Sequence, residues 1–290
     1  MHEISAPAEM REWSRAERKR GHRIGLVPTM GFLHEGHLRL VDRARERADR
    51  VVLSSFVNPL QFGPREDFER YPRDPARDRR LAAERAVDCL FAPGTEALYP
   101  ADPVARIAPG PMADVLEGAT RPGHFQGVLT VVAKLFHVVE PDIAVFGRKD
   151  FQQATLVRRM VADLAFGLEV DIAPTVRELD GLAISSRNSY LGPDERRAAL
   201  ALSRALRAVE QAWRGGQADA KELERRGLEV LRAPGVAPEY LKLVGEDLQP
   251  VARADARTVV MVAAAVGATR LIDNVVLGEG MANDVAVRAS

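Results

Sequence analysis

Only one cysteine, Cys89, occurs in the chain, so no intrachain disulfide can form, and a reducing cytoplasm is the expected setting. Cys89 sits in the apolar run Asp88-Cys-Leu-Phe-Ala92, where it reads as a small core residue and not a nucleophile. Neither sign of charge is in excess, because 41 Lys and Arg balance 41 Asp and Glu. That balance removes any general electrostatic pull toward nucleic acid or an anionic membrane, so neither is expected as a partner. It leaves room for a small basic pocket. Long apolar runs are also missing. The most apolar stretch, Thr258 to Gly267, is too short to span a bilayer, and the N-terminus lacks the apolar centre of a secretion signal. No internal repeat or low-complexity tract interrupts the chain. The 290 residues suffice for one large domain or two modest ones, and 46% hydrophobic residues give them a core.

The first half alternates short apolar runs with amphipathic ones. Strands are expected at Arg23 to Pro28, Val51 to Val57, Asp88 to Ala92, Asp142 to Phe146 and Leu168 to Ile172. Helices are expected at Gly36 to Asp49, Asp74 to Ala86, Gly127 to Val139 and Phe151 to Leu164. This alternation predicts an α/β fold, a parallel sheet with helices on both faces, whose ligands sit beyond the carboxyl ends of the strands. After Pro174 the pattern changes. Helices at Asp194 to Trp213 and Ala218 to Leu231 precede strands near Glu239 to Val244, Thr258 to Ala265 and Arg270 to Val276. A smaller α+β domain is expected, which divides the chain into residues 1–175 and 176–290, with a loose tail after Gly278.

Four segments carry chemistry. In Val27-Pro-Thr-Met-Gly-Phe-Leu-His-Glu-Gly-His-Leu38, a strand turns into a helix. Gly31 and Gly36 permit close backbone approach, and the free N–H groups of a helix start suit phosphate. His34 and His37, three apart, can converge on one anion and bear charge that builds there. The segment also reads as a turn and cap with two solvated histidines. A zinc site is the weakest reading, since the spacing is not H-E-x-x-H and no Cys or His cluster accompanies it. In Ser55-Phe-Val-Asn-Pro-Leu-Gln-Phe62, Asn58 and Gln61 are neutral amides able to bind hydroxyl or carboxylate, or else form an Asn-Pro turn. In Phe146-Gly-Arg-Lys-Asp-Phe-Gln-Gln153, Lys149 offers a point charge to phosphate. Asp150 can orient Lys149, hold magnesium through water, or cap the helix. Ile184-Ser-Ser-Arg-Asn188 resembles a phosphate clamp or a polar turn.

Together with Gly123-His-Phe-Gln-Gly-Val128, these strings stand in the order found in the pantoate–β-alanine ligases, and the resemblance covers essentially the whole chain. It implies a Rossmann-like N-terminal domain binding ATP and pantoate, a smaller C-terminal lid domain that clamps ATP, and a homodimer. It implies that ATP and pantoate form pantoyl-adenylate, which β-alanine converts to pantothenate and AMP. On this resemblance His37, His34 and Lys149 are catalytic. The ATP site comprises Met30, Gly31, Phe32, Leu33, His34, Glu35, Gly36, His37, Gly147, Arg148, Lys149, Asp150, Val176, Ile184, Ser185, Ser186 and Arg187. Gln61, Gln153 and Asn58 hold pantoate, and Gln61 also meets β-alanine. Magnesium is expected on the phosphates, with no ligand legible in the sequence. Three residues depart from the family pattern: Phe32, Arg148 and Ile184. Competing readings are another nucleotidyltransferase, a tRNA-charging synthetase and a non-catalytic nucleotide-binding regulator. The lack of a basic anticodon-binding region weighs against the second. Retention of both histidines, Lys149, Ser185, Ser186 and Arg187 weighs against the third.

Overall fold

The computed structural model describes residues 1–64 and 66–287. These form two compact units, Met1–Gly147 with Gln152–Ala173 and Arg148–Phe151 with Pro174–Ser290. The seam falls at Ala173 and Pro174, and residues 148–151, expected in the first domain, group with the second.

The first unit opens with β1 (His2–Ile4) and α1 (Pro7–Lys19), two elements the apolar pattern did not reveal. β2 (Ile24–Thr29), α2 (Glu35–Arg45), β3 (Arg50–Ser55), α3 (Pro75–Glu84) and β4 (Cys89–Phe91) follow. Two single turns, α4 (Thr95–Leu98) and α5 (Glu117–Thr120), lead to α6 (His124–Val139), β5 (Ile143–Gly147), α7 (Phe151–Asp163) and β6 (Glu169–Ala173). The strands make one parallel sheet in the order β1-β4-β3-β2-β5-β6. Strand residues alternate between its faces. Leu26, Val52 and Phe146 join the core under α1, α6 and α7, whereas Val27, Leu53 and Val145 join the core under α2 and α3. A sheet covered on both faces explains why these strands read as continuous apolar runs.

Chain order reverses between β2 and β5, which makes that boundary the switch point of a doubly wound sheet. β2 pairs with β5 only at Gly25 and Leu26, while it follows β3 as far as Thr29. Pro28, which has no N–H to donate, therefore stands where the pairing with β5 has already ended. The sheet parts there, at the kind of switch point where doubly wound sheets bind their ligands.

In the second unit, β7 (Val176–Glu178) precedes α8 (Pro193–Arg214) and α9 (Ala220–Leu231). These helices cover an antiparallel sheet, β10-β9-β8, built from β8 (Val236–Val244), β9 (Val259–Val266) and β10 (Thr269–Val276). The expectation of a loose tail is corrected, because β11 (Val285–Val287) pairs in parallel with β7. The three residues after it lie outside the described part.

Candidate active site

β2 ends at Thr29, and the loop that follows turns sharply. Gly31 has φ +77°, and a Cβ there would lie 2.7 Å from Ser55 Oγ and 2.9 Å from Asp78 Oδ2. Phe32 also takes a positive φ of 49°. Asp78, buried in the first turn of α3, compensates for that conformation. Its two carboxylate oxygens accept the Phe32 N–H (2.8 Å) and the Leu33 N–H (2.7 Å). Burial raises the Asp78 pKa against the opposing pull of those two amides. Arg77 donates to the Leu33 carbonyl and stands over the Phe32 ring, with 5.6 Å from guanidinium carbon to ring centroid. The bulk of Phe32 is thus accommodated by α3.

The helix starts one residue earlier than the pattern placed it. His34 is the extended N-cap residue and His37 is the third residue of α2, so both lie on one side of the first turn. Their rings stack with centroids 3.9 Å apart and planes 13° apart. Two imidazoles are thereby held side by side beside a helix dipole's positive end, at the carboxyl end of β2.

The turn Pro59–Gln61 follows β3. Gln61, 8% exposed, directs its Nε2 at the Met30 sulfur (3.1 Å), while its Oε1 accepts from Asn58 Nδ2 (3.0 Å). Asn58 is 1% exposed and fully committed within the protein. Its Nδ2 also donates to the Gly127 carbonyl (3.1 Å), and its Oδ1 accepts from the Tyr99 hydroxyl (2.8 Å) and the Leu60 N–H (3.3 Å). Two donors and two accepted bonds exhaust a primary amide of this kind. In this arrangement Asn58 orients Gln61, the other amide expected to hold pantoate.

The string Gly123–Val128, given no role by sequence, is the platform under Gln61. A Cβ on Gly127 would lie 2.2 Å from the Leu60 carbonyl oxygen, so only glycine lets the turn rest on α6. His124 Nδ1 donates to the Gln61 carbonyl (2.8 Å), and Arg121 Nη1 donates to His124 Nε2 (3.1 Å). A carbonyl only accepts and a guanidinium only donates, so the ring is neutral with its proton on Nδ1. Burial first, and the Arg121 charge second, push the His124 pKa down to about 4. Arg121 in turn holds Glu66 through both carboxylate oxygens, at 2.9 and 2.6 Å. Burial alone would raise the Glu66 pKa, but this pair outweighs it and keeps the group below the usual carboxylate range. Gln152, beside the expected Gln153, anchors the chain before α5 by donating to the Met112 and Val115 carbonyls and accepting from Glu117 N–H. Gln153 itself is half-buried. Cys89 is fully buried in β4 and its thiol is pushed up to about 12, which leaves it no part in covalent chemistry.

The other predicted groups belong to the second unit. Lys149 Nζ lies 3.5 Å from Asp150 Oδ1. Arg148, whose extra charge departs from the family pattern, is balanced by Glu279 at 2.6 Å. Val176 and Ile184 come together, the Ile184 N–H donating to the Val176 carbonyl (3.0 Å). Ser185 Oγ accepts from the Arg187 N–H and opens the turn Ser186–Tyr190. No group of three His, Cys, Asp or Glu able to hold a metal occurs among the described residues.

The family model for pantoate–β-alanine ligase matches residues 2–276. The chain belongs to the pantoate–β-alanine ligase family. Pantothenate synthetase of Pelotomaculum thermopropionicum is 50% identical over 94% of this chain and 97% of its own, and that of Moorella thermoacetica 51% identical over 93% and 96%. Among solved structures, pantothenate synthetase from Thermus thermophilus superposes with a TM-score of 0.91 at 50% identity, covering 96% of this chain and 99% of the other. The Francisella tularensis pantoate–β-alanine ligase, complexed with β-γ ATP and β-alanine, gives a TM-score of 0.80 at 32% identity, covering 97% and 99%. The family relationship thus spans both units, and the chain is an enzyme of this ligase family.

Proposed function

We propose that this chain condenses (R)-pantoate with β-alanine in an ATP-driven reaction that releases AMP and pyrophosphate and passes through pantoyl-adenylate. The observation that carries the reading is the stacked His34–His37 pair at the start of α2, where β2 and β5 part. A carboxylate resists attack by an amine because its oxygen is a poor leaving group. In the first step a pantoate oxygen bonds to the α-phosphorus, the bond to the β-phosphate oxygen breaks, and its electron pair leaves on pyrophosphate. His34 and His37 face that growing charge as fixed donors, aided by Lys149 and Arg187. In the second step the β-alanine amine attacks the acyl carbon, AMP departs with the C–O electron pair, and the amine releases a proton.

In this reading Met30–His37 bind ATP and Gln61 and Gln153 bind pantoate, and Lys149, Val176, Ile184, Ser185, Ser186 and Arg187 are further ATP-binding residues. The Met30 sulfur is a weak acceptor, so a substrate oxygen displaces it from Gln61 Nε2 with gain. Magnesium, when bound, would take oxygen ligands from the phosphates, and Asp150, the neighbour of Lys149, would hold it through water. The enzyme works as a cytoplasmic homodimer. AMP release measured with each substrate omitted in turn tests the reading. Release should require pantoate, and steady turnover should require β-alanine as well. AMP release indifferent to pantoate would refute it.

A further inference from the structure

Residues 148–151 lie in sequence between β5 and α7 but group with the second unit. Asn274 accounts for this. It stands on β10, an edge strand of the antiparallel sheet, and is 2% exposed. Its Nδ2 donates to two successive carbonyls, those of Arg148 and Lys149, each at 2.9 Å. Both partners only accept, so the two hydrogens of a primary amide match them one to one. Asn274 is itself fixed from behind. Its N–H donates to Asp273 Oδ1 (2.8 Å) and its carbonyl accepts from Arg177 Nη2 (3.3 Å). Arg177 grips Asp273 through two bonds, at 2.6 and 2.8 Å, and Asp284 through a third at 2.5 Å. All four side chains are buried, and buried bonds of this kind rigidify what they hold.

We infer that Asn274 is a positioning residue for Lys149, its side-chain amide fixing the backbone from which the lysine reaches the nucleotide. The inference rests on the assignment of Lys149 to the ATP phosphates. Asn274 touches no substrate. It sets where the ammonium can go, and Arg148–Glu279 supplies a second tie on the same segment.

The test combines hydrogen exchange with a double-mutant cycle. In Asn274→Ala, amide exchange in residues 147–152 should accelerate while β9 stays protected. Unchanged exchange in that segment would overturn the inference, whatever the enzyme's substrates prove to be. In steady-state kinetics Asn274→Ala should raise the ATP KM by about tenfold or more, as expected for a misplaced charge, and leave the β-alanine KM little changed. In the Lys149→Met background the same substitution should add almost nothing, because the group it positions is gone. Full additivity of the two losses would assign Asn274 a merely structural role and overturn the inference. Asn274→Ser keeps one donor and should fall between, and it carries the same measurements if the alanine variant does not fold. A wild-type enzyme that makes no pantothenate would instead refute the proposed function, with the exchange result still deciding whether Asn274 holds the segment.

Discussion

The two hydrogen bonds of the Gln61 amide differ in strength. Oε1 is fixed by Asn58, while Nε2 rests on a thioether. A neutral amide can donate to the pantoate carboxylate without drawing as much charge from the attacking oxygen as a guanidinium would. Gln61→Glu should therefore raise the pantoate KM well above any change for ATP, since a second carboxylate repels the substrate. Steady-state kinetics with each substrate varied will show it, and an unchanged pantoate KM would move the pantoate site elsewhere. His37→Ala should fold normally and lose on the order of a hundredfold in kcat. Wild-type turnover in the purified variant would remove His37 from the mechanism. At this scale the sequence was informative about residue types, because His, Gln, Lys and Arg advertise their chemistry. It was uninformative about Asp78, which looks like an ordinary first-turn acid on α3 but binds two amides of the Phe32 turn, 45 and 46 residues away in sequence.

Elements place these groups through close packing. α6 was expected from Gly127, yet it begins at His124, and its first turn supports the Pro59–Gln61 turn from below. No local signal exposes that contact, since the partners lie 63 residues apart. The long apolar strands and amphipathic helices were legible because their periodicity is local. β1, β7 and β11 were not, being three residues each and stabilised by neighbours distant in sequence. Gly127→Ala tests the platform directly. The added methyl meets backbone, which cannot swing aside, so a cost of about 1–3 kcal/mol is expected. Denaturant unfolding should register that loss, and pantoate KM should rise with it as Gln61 shifts. An alanine variant with unchanged stability and kinetics would show that the turn does not depend on this approach.

For the whole molecule, the buried neutral His124 couples stability to pH. Its pKa falls from 6.5 to about 4 on folding, so between those values the unfolded chain binds a proton that the folded chain refuses. Stability is therefore lost as pH drops through that window, by up to about 3 kcal/mol. Urea midpoints at about pH 7 and pH 4.5 should converge in His124→Gln relative to wild type. An equal acid loss in both would place the pH dependence on other groups. The parallel sheet and the antiparallel sheet after it were legible in local patterning, but the grouping of residues 148–151 with the second unit was not, since Asn274, which binds their backbone, lies more than a hundred residues later. The central claim, that the acyl group is carried by AMP and by no enzyme side chain, is tested most directly with pantoate labelled with ¹⁸O in its carboxylate. The mechanism predicts that one labelled oxygen per turnover appears in AMP, since the C–O bond breaks when the amine attacks. AMP free of label, alongside normal pantothenate formation, would contradict it.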